Sequence, residues 1–73
     1  MENVYQVIDS EQGVLFTSDL LADAEEYYYA FSLTKPEYMR RFGFDSEVAD
    51  LRIQEYTYDV EVKGELYLVQ VIL

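Results

Sequence analysis

The sequence predicts an α+β domain in which one long and one short helix pack on one face of a four-stranded antiparallel sheet (ββααββ). Three observations predict this class. The chain is 51% apolar, with eight Tyr and four Phe, which is too hydrophobic for a disordered acidic segment. Short β-branched and aromatic runs stand near both ends, and an amphipathic helical pattern lies between them. A length of 73 residues corresponds to a single domain, 1–73.

The first part of the chain predicts a hairpin followed by the long helix. Two strand-like runs, residues 4–8 and 14–17, are separated by five residues that end in a glycine, a spacing typical of a β-hairpin. Ser18 is a good N-cap, and apolar residues then recur at helical spacing. The long helix is therefore predicted over about residues 19–32. Its core-facing stripe is formed by Leu20, Ala24, Tyr27 and Phe31.

The short helix is predicted from its termini. Thr34 and Glu37 form a capping box, and Pro36 is tolerated in the first helical turn. Gly43 stands where a helix would end. Residues 45–50 are either a loop or one more helical turn.

The last third of the chain is typical of a second hairpin. Residues 51–62 predict a long strand, Lys63 and Gly64 a two-residue turn, and residues 65–73 a closing strand. Because the closing strand is apolar on both faces, we expect it to be central and to pair with residues 4–8.

Negative charge is the feature that points to a function. Fifteen acids stand against five bases, and residues 1–34 contain seven acids and no base. The formal net charge of −10 exceeds the magnitude of about 2–8 that keeps a small domain soluble. Such self-repulsion lowers stability, so we interpret the negative field as one that meets a positively charged partner. It would repel nucleic acid and anionic membranes.

Two acidic rows and one tyrosine are the candidate binding residues. Four acids lie along the predicted long helix. Beside these acids is a tyrosine that points away from the core stripe. Three more acids lie on the solvent face of the predicted long strand. The predicted partner-binding residues are Asp19, Asp23, Glu25, Glu26, Tyr29, Glu55, Asp59 and Glu61. A merely solvated acidic surface remains the alternative for both rows.

The residue content argues against enzymatic chemistry. The chain has no His and no Cys, so it lacks imidazole and thiolate nucleophiles and metal ligands. Its three glycines form no phosphate-binding loop. We therefore predict a protein that is not an enzyme, with no catalytic residues, no metal and no cofactor. The absence of Cys suits the cytoplasm, and no apolar run is long enough to cross a membrane.

In size, charge and its mixture of acids with Tyr, the chain resembles small acidic proteins of phages and mobile elements. The segments Ala24-Glu25-Glu26-Tyr27 and Ile53-Gln54-Glu55-Tyr56 are also similar to segments of short phage proteins. The segment similarity implies no activity, whereas the resemblance in size, charge and composition implies a DNA mimic of the anti-CRISPR or anti-restriction type. Such a protein would act in the cytoplasm of a bacterial host, as a monomer or homodimer. It would occupy the basic nucleic-acid-binding groove of a CRISPR effector, restriction enzyme or repair enzyme.

A second hypothesis for the function stays open. The predicted strand pairing leaves an apolar solvent-facing patch on the closing strand, formed by Leu66, Leu68 and Ile72. Exposed apolar patches on small proteins often mark interaction sites. The alternative function is therefore a small adaptor or homo-oligomeric module that binds through an apolar sheet face.

Overall fold

The computed structural model describes residues 2–73 as three strands and three helices. The elements are β1 (Asn3–Asp9), β2 (Gly13–Ser18), α1 (Leu21–Ser32), α2 (Lys35–Phe42), α3 (Ser46–Thr57) and β3 (Leu66–Ile72). The strands form an antiparallel sheet in the order β2-β1-β3. The α+β class is confirmed. The predicted four-stranded sheet with two helices is wrong.

The error lies in residues 51–62, which are mainly helical. Asp45 begins α3, because its Oδ1 accepts a hydrogen bond of 2.9 Å from the backbone N–H of Val48. Ala49, Ile53 and Tyr56 then recur at helical spacing and pack into the helical core. With residues 51–57 in α3, no long strand is available to the closing strand within residues 2–73. β3 pairs with β1 as predicted, but it is an edge strand and not a central one.

Helix α1 begins later than predicted. Its first residue is Leu21, because the Ser18 hydroxyl accepts a hydrogen bond from the backbone N–H of Leu20 and holds a turn before the helix. Leu20 is 57% exposed, so its predicted place in the core is wrong. Ala24 and Tyr27 are buried as predicted.

Helix α2 has the termini that the sequence predicts. Thr34 and Glu37 form the reciprocal capping box, with both side chains bonded to backbone N–H groups. Gly43 ends the helix in the left-handed region, at φ 73°. A residue with a Cβ would be strained there, which is why glycine is favoured at this position.

Aromatic rings join the helices to the sheet. The Tyr27 ring on α1 stacks on Phe16 of β2 at a centroid distance of 4.5 Å. Tyr56 of α3 meets the same tyrosine edge-on at 5.5 Å. A second cluster lies between the helices, around buried Ala30, Tyr38 and Ala49. The helices therefore cover the face of the sheet that carries Phe16.

A buried carboxylate connects the first hairpin to the segment that precedes β3. Asp9 is fully buried at the end of β1. Its Oδ1 accepts from the backbone N–H of Glu11 and Gly64, at 2.8 and 2.9 Å. Its Oδ2 accepts from Gln12 Nε2 and the backbone N–H of Lys63, at 2.8 and 2.7 Å. Burial acts to raise the pKa of this carboxyl, but the four hydrogen bonds outweigh it and hold the pKa well below its usual range.

The tight approach of these segments explains Gly64. A Cβ at this position would lie 2.9 Å from the Asp9 Oδ1 and would collide with the Ser10 hydroxyl. Lys63 and Gly64 are therefore part of a carboxylate-binding loop, and the predicted hairpin turn at these residues is wrong.

We expect Asp9→Asn to lower the melting temperature by about 10 °C, since an amide group would face an N–H donor in a buried site. The depressed pKa also makes the stability depend on pH. The stabilisation that ionised Asp9 provides is present above the unfolded pKa of about 3.9 and is lost as the pH falls toward and through the pKa of Asp9 in the folded state. The melting temperature of the variant should therefore fall less steeply than that of the wild type below about pH 4. Thermal melts across this range, with Glu11→Gln as the exposed control, measure both effects; equal melts for both variants would contradict the assigned role.

We expect Tyr27→Ala to cost about 3–5 kcal/mol of unfolding free energy, because the ring is 6% exposed and joins two layers. Tyr58→Ala is the matched control: its ring is 73% exposed, and the cost should stay within about 0.5 kcal/mol. Urea titrations of the two variants test this assignment of the core. Comparable losses would mean that Tyr27 does not hold the layers together.

Candidate functional site

Helices α1 and α3 bring three of the predicted binding residues together. Asp23 and Glu26 lie on α1, and Glu55 lies in the last turn of α3. The carboxyl group of Glu26 interacts electrostatically with Asp23, with Glu55 and with Arg52, which lies one turn before Glu55. One guanidinium therefore stands against three carboxylates. We call these four residues, Asp23, Glu26, Arg52 and Glu55, the acidic helical face.

Glu26 is the electrostatic centre of the acidic helical face. Its side chain is half-buried, and its Oε1 is shielded without a hydrogen-bond partner among residues 2–73. Burial raises the pKa of the Glu26 carboxyl; Asp23 and Glu55 raise it further, while Arg52 opposes them. A shielded carboxylate oxygen without a donor is costly.

Two tyrosines behind Glu26 were not among the predicted binding residues. Burial raises the pKa of Tyr38 to about 12, and the Glu26 charge adds to the shift. The Tyr38 hydroxyl is also buried without a partner in the described part of the chain. Burial and the Glu26 charge likewise raise the pKa of Tyr56. Arg52 and Tyr56 stand one helical turn apart on α3, and residues at this spacing are neighbours on a helix. Recognition of α3 in the sequence would therefore have placed Tyr56 beside Arg52.

Glu25 and Tyr29 lie elsewhere on α1. Arg41 of α2 places its guanidinium 3.1 Å from the Glu25 carboxylate and 4.0 Å from the centroid of the Tyr29 ring. Both predicted binding residues are half-buried and engaged within the molecule. They are therefore less available to a partner than the acidic helical face.

The remaining predicted residues are exposed but scattered. Asp19 precedes α1, so it does not share a helical row with Asp23. Asp59 and Glu61 lie in the connection between α3 and β3, where Asp59 adopts a positive φ of 61°. The predicted acidic row on a strand is wrong, because Glu55 is helical and the other two residues follow the helix.

The apolar patch predicted on the closing strand has its faces reversed. Leu68 is paired beside Val7, which in turn pairs with Phe16 under the helices. Side chains alternate along a strand, so Leu66, Leu68 and Ile72 turn toward the helical side. The other side of the sheet carries no helix in the described part of the chain. We call it the open sheet face; its central and β3 residues are Val4, Gln6, Ile8, Tyr67, Val69 and Val71.

Within residues 2–73, no group of three or more His, Cys, Asp or Glu side chains is placed to hold a metal ion, and no pocket is found there. Nor does any helix in the described range have the length and apolar character needed to cross a membrane. What the arrangement offers is surface: acids on the helical side and apolar residues on the opposite side.

Comparison with protein-family models, with curated proteins and with solved structures found no match for this chain. The resemblance to acidic phage proteins therefore stays a prediction.

We expect Glu26→Gln to raise the melting temperature at pH 7 by a few °C, because it removes a carboxylate whose ionisation burial disfavours. The sign follows from the raised pKa. Protonated Glu26 contributes its full stabilisation of the fold below the unfolded pKa of about 4.3. This stabilisation is lost as the pH rises through the pKa that Glu26 has in the folded state. The gain in the variant should therefore shrink between about pH 7 and pH 4. Asp19→Asn, in an exposed loop, is the control; a variant less stable than wild type at pH 7 would overturn this description of Glu26.

Proposed function

We propose that the protein is a non-enzymatic binding protein that places its acidic helical face in the basic nucleic-acid-binding groove of another protein. The single observation that carries the proposal is the grouping of Asp23, Glu55 and Arg52 around Glu26, which sets three carboxylates against one guanidinium. The expected targets are those that the resemblance implies: a CRISPR effector, a restriction enzyme or a repair enzyme of a bacterial host. In this role the protein acts as a nucleic-acid mimic.

The placement of the acids supports this mode of binding. Asp23 and Glu26 stand three residues apart on α1, so they are neighbours on the helical surface. A groove that holds phosphates through Lys and Arg would meet the same sign of charge there. The helices offer this charge without a phosphodiester bond that a nuclease could cleave.

The charge balance around Glu26 supports a cationic partner. Three carboxylates share one guanidinium there, and an Arg or Lys from a groove would offset the remaining negative charge. The overall charge of −10 would speed association and make the complex sensitive to salt.

The second candidate is the small adaptor or homo-oligomeric module, which now concerns the open sheet face. The observation that favours it is the apolar character of this face opposite the acidic side. Val4, Ile8, Val69 and Val71 are only half-buried. In that function the acids would serve solubility alone, and partner binding would tolerate salt.

We expect the double variant Asp23→Lys/Glu26→Lys to abolish capture of a nucleic-acid-binding protein from nuclease-treated bacterial lysate. Reversing two of the three converging charges would turn attraction into repulsion. The immobilised protein is tested at about 50 and about 500 mM NaCl, and bound proteins are identified by mass spectrometry. Support requires a partner that is bound at low salt, released at high salt and displaced by added DNA or guide RNA.

The matched control is Glu2→Lys/Glu47→Lys, which makes the same change in net charge at two exposed positions outside the acidic helical face. It should retain most of the binding. Equal loss in both double variants would show that net charge, and not this face, governs the interaction. Salt-resistant capture that survives both reversals would instead favour the open sheet face.

A further inference from the structure

We infer that β3 is a dimerisation strand. Two copies of the chain pair their β3 edges antiparallel around a two-fold axis at Val69, forming one six-stranded sheet. The contact is independent of the acidic helical face, and the evidence for it is the direction of the backbone groups, the distribution of charge and the different construction of the two sheet edges.

The backbone directions are set by the two hydrogen bonds that flank the β1–β3 ladder. Glu65 O accepts from Ser10 N, and Leu73 N donates to Glu2 O, each at 2.9 Å. Odd-numbered residues of β3 therefore direct their N–H and C=O groups toward β1. The even-numbered residues direct theirs away from the sheet. These outward groups belong to Leu66, Leu68, Gln70 and Ile72.

The outward groups are self-complementary in one register that uses the whole strand. With the axis at Val69, Leu66 pairs with Ile72 of the second copy, and Leu68 pairs with Gln70. Four N–H groups from each copy then give eight hydrogen bonds across the seam. Axes at Leu68 or Gln70 also match the outward groups, but they leave part of β3 unpaired.

Charge favours this strand as the contact. β3 contains none of the twenty charged residues, so copies with a net charge of −10 can approach here without juxtaposing carboxylates within the strand. Two large apolar side chains on it are exposed, Tyr67 by 48% and Ile72 by 63%. A partner with the same uncharged edge fits this surface, whereas a basic partner would find no acid on it to bind.

The other edge of the sheet is built differently. β2 is also uncharged, but its register with β1 shifts between Val7 and Ile8, so that Leu15 has no partner in the ladder. Such a bulge bends and twists an edge away from further pairing. β3 pairs with β1 over seven consecutive residues without a shift, which leaves a regular edge open.

The absence of Cys from the sequence makes a register-specific test possible. In the inferred dimer, the Val69 residues of the two copies form a non-hydrogen-bonded pair with Cα atoms about 4.5 Å apart, within reach of a disulfide. Tyr67 lies on the same face but would stand about 13 Å from its counterpart, four residues further along the seam. Val69→Cys should therefore cross-link under mild oxidation, and Tyr67→Cys should not.

The unmodified chain is tested by sedimentation from about 10 µM to 1 mM, because a seam of seven residues falls in the weak class of interfaces. Dimerisation should strengthen between about 20 and 500 mM NaCl, since salt screens the repulsion between copies. Binding through the acidic helical face would respond in the opposite direction, so the two proposals fail separately. Gln70→Pro removes one outward N–H and should weaken the dimer at least tenfold, whereas Gln70→Thr should not.

Three outcomes would overturn the inference. One is a chain that remains monomeric at every concentration and salt level. Another is equal cross-linking of the two cysteine variants, which would indicate random collision. The third is Gln70→Pro dimerising as well as Gln70→Thr while circular dichroism shows both variants folded, which would place the contact elsewhere, for example on the open sheet face.

Discussion

The fold depends on the Asp9 carboxylate, a buried negative charge that is stabilised by hydrogen-bond donors and not by a cation. Its two oxygens hold together the turn after β1 and the segment before β3, which are more than fifty residues apart in the chain. That segment has no regular secondary structure to organise it. By satisfying its N–H groups, Asp9 fixes the point from which β3 enters the sheet, and the β1–β3 register follows.

The two sides of the sheet face different chemical environments. The helical side carries the converging carboxylates of Asp23, Glu26 and Glu55, with Glu26 partly withdrawn from water. The opposite side of the sheet is mainly apolar, and β3, which forms one edge of the sheet, contains no charged residue. In the proposed dimer the two-fold axis would run perpendicular to the sheet. Both acidic helical faces would then lie on the same side, where a long basic groove could meet them together.

Local signals in the sequence predicted the features that depend on local chemistry. The first hairpin, the capping box of Thr34 and Glu37, and the end of α2 at Gly43 are of this kind. Helix α3 was missed because Leu51, Ile53 and the tyrosines after them also fit a strand, although the Asp45 cap starts a helix that continues to Thr57. Missing α3 inverted the faces of β3 and separated Glu55 from Asp23 and Glu26. The role of Asp9 was not predictable locally, because its partners near Gly64 are distant in sequence.

The bulge at Leu15 has a consequence for the size of any assembly built from this sheet. A sheet with two regular edges can add copies without limit, as in a fibril. Here the β2 edge is irregular, and the antiparallel two-fold contact pairs the regular β3 edge. Assembly would stop at the dimer. The edge of β3, a strand with the composition of an amyloid-forming segment, would then be fully paired and closed to further copies.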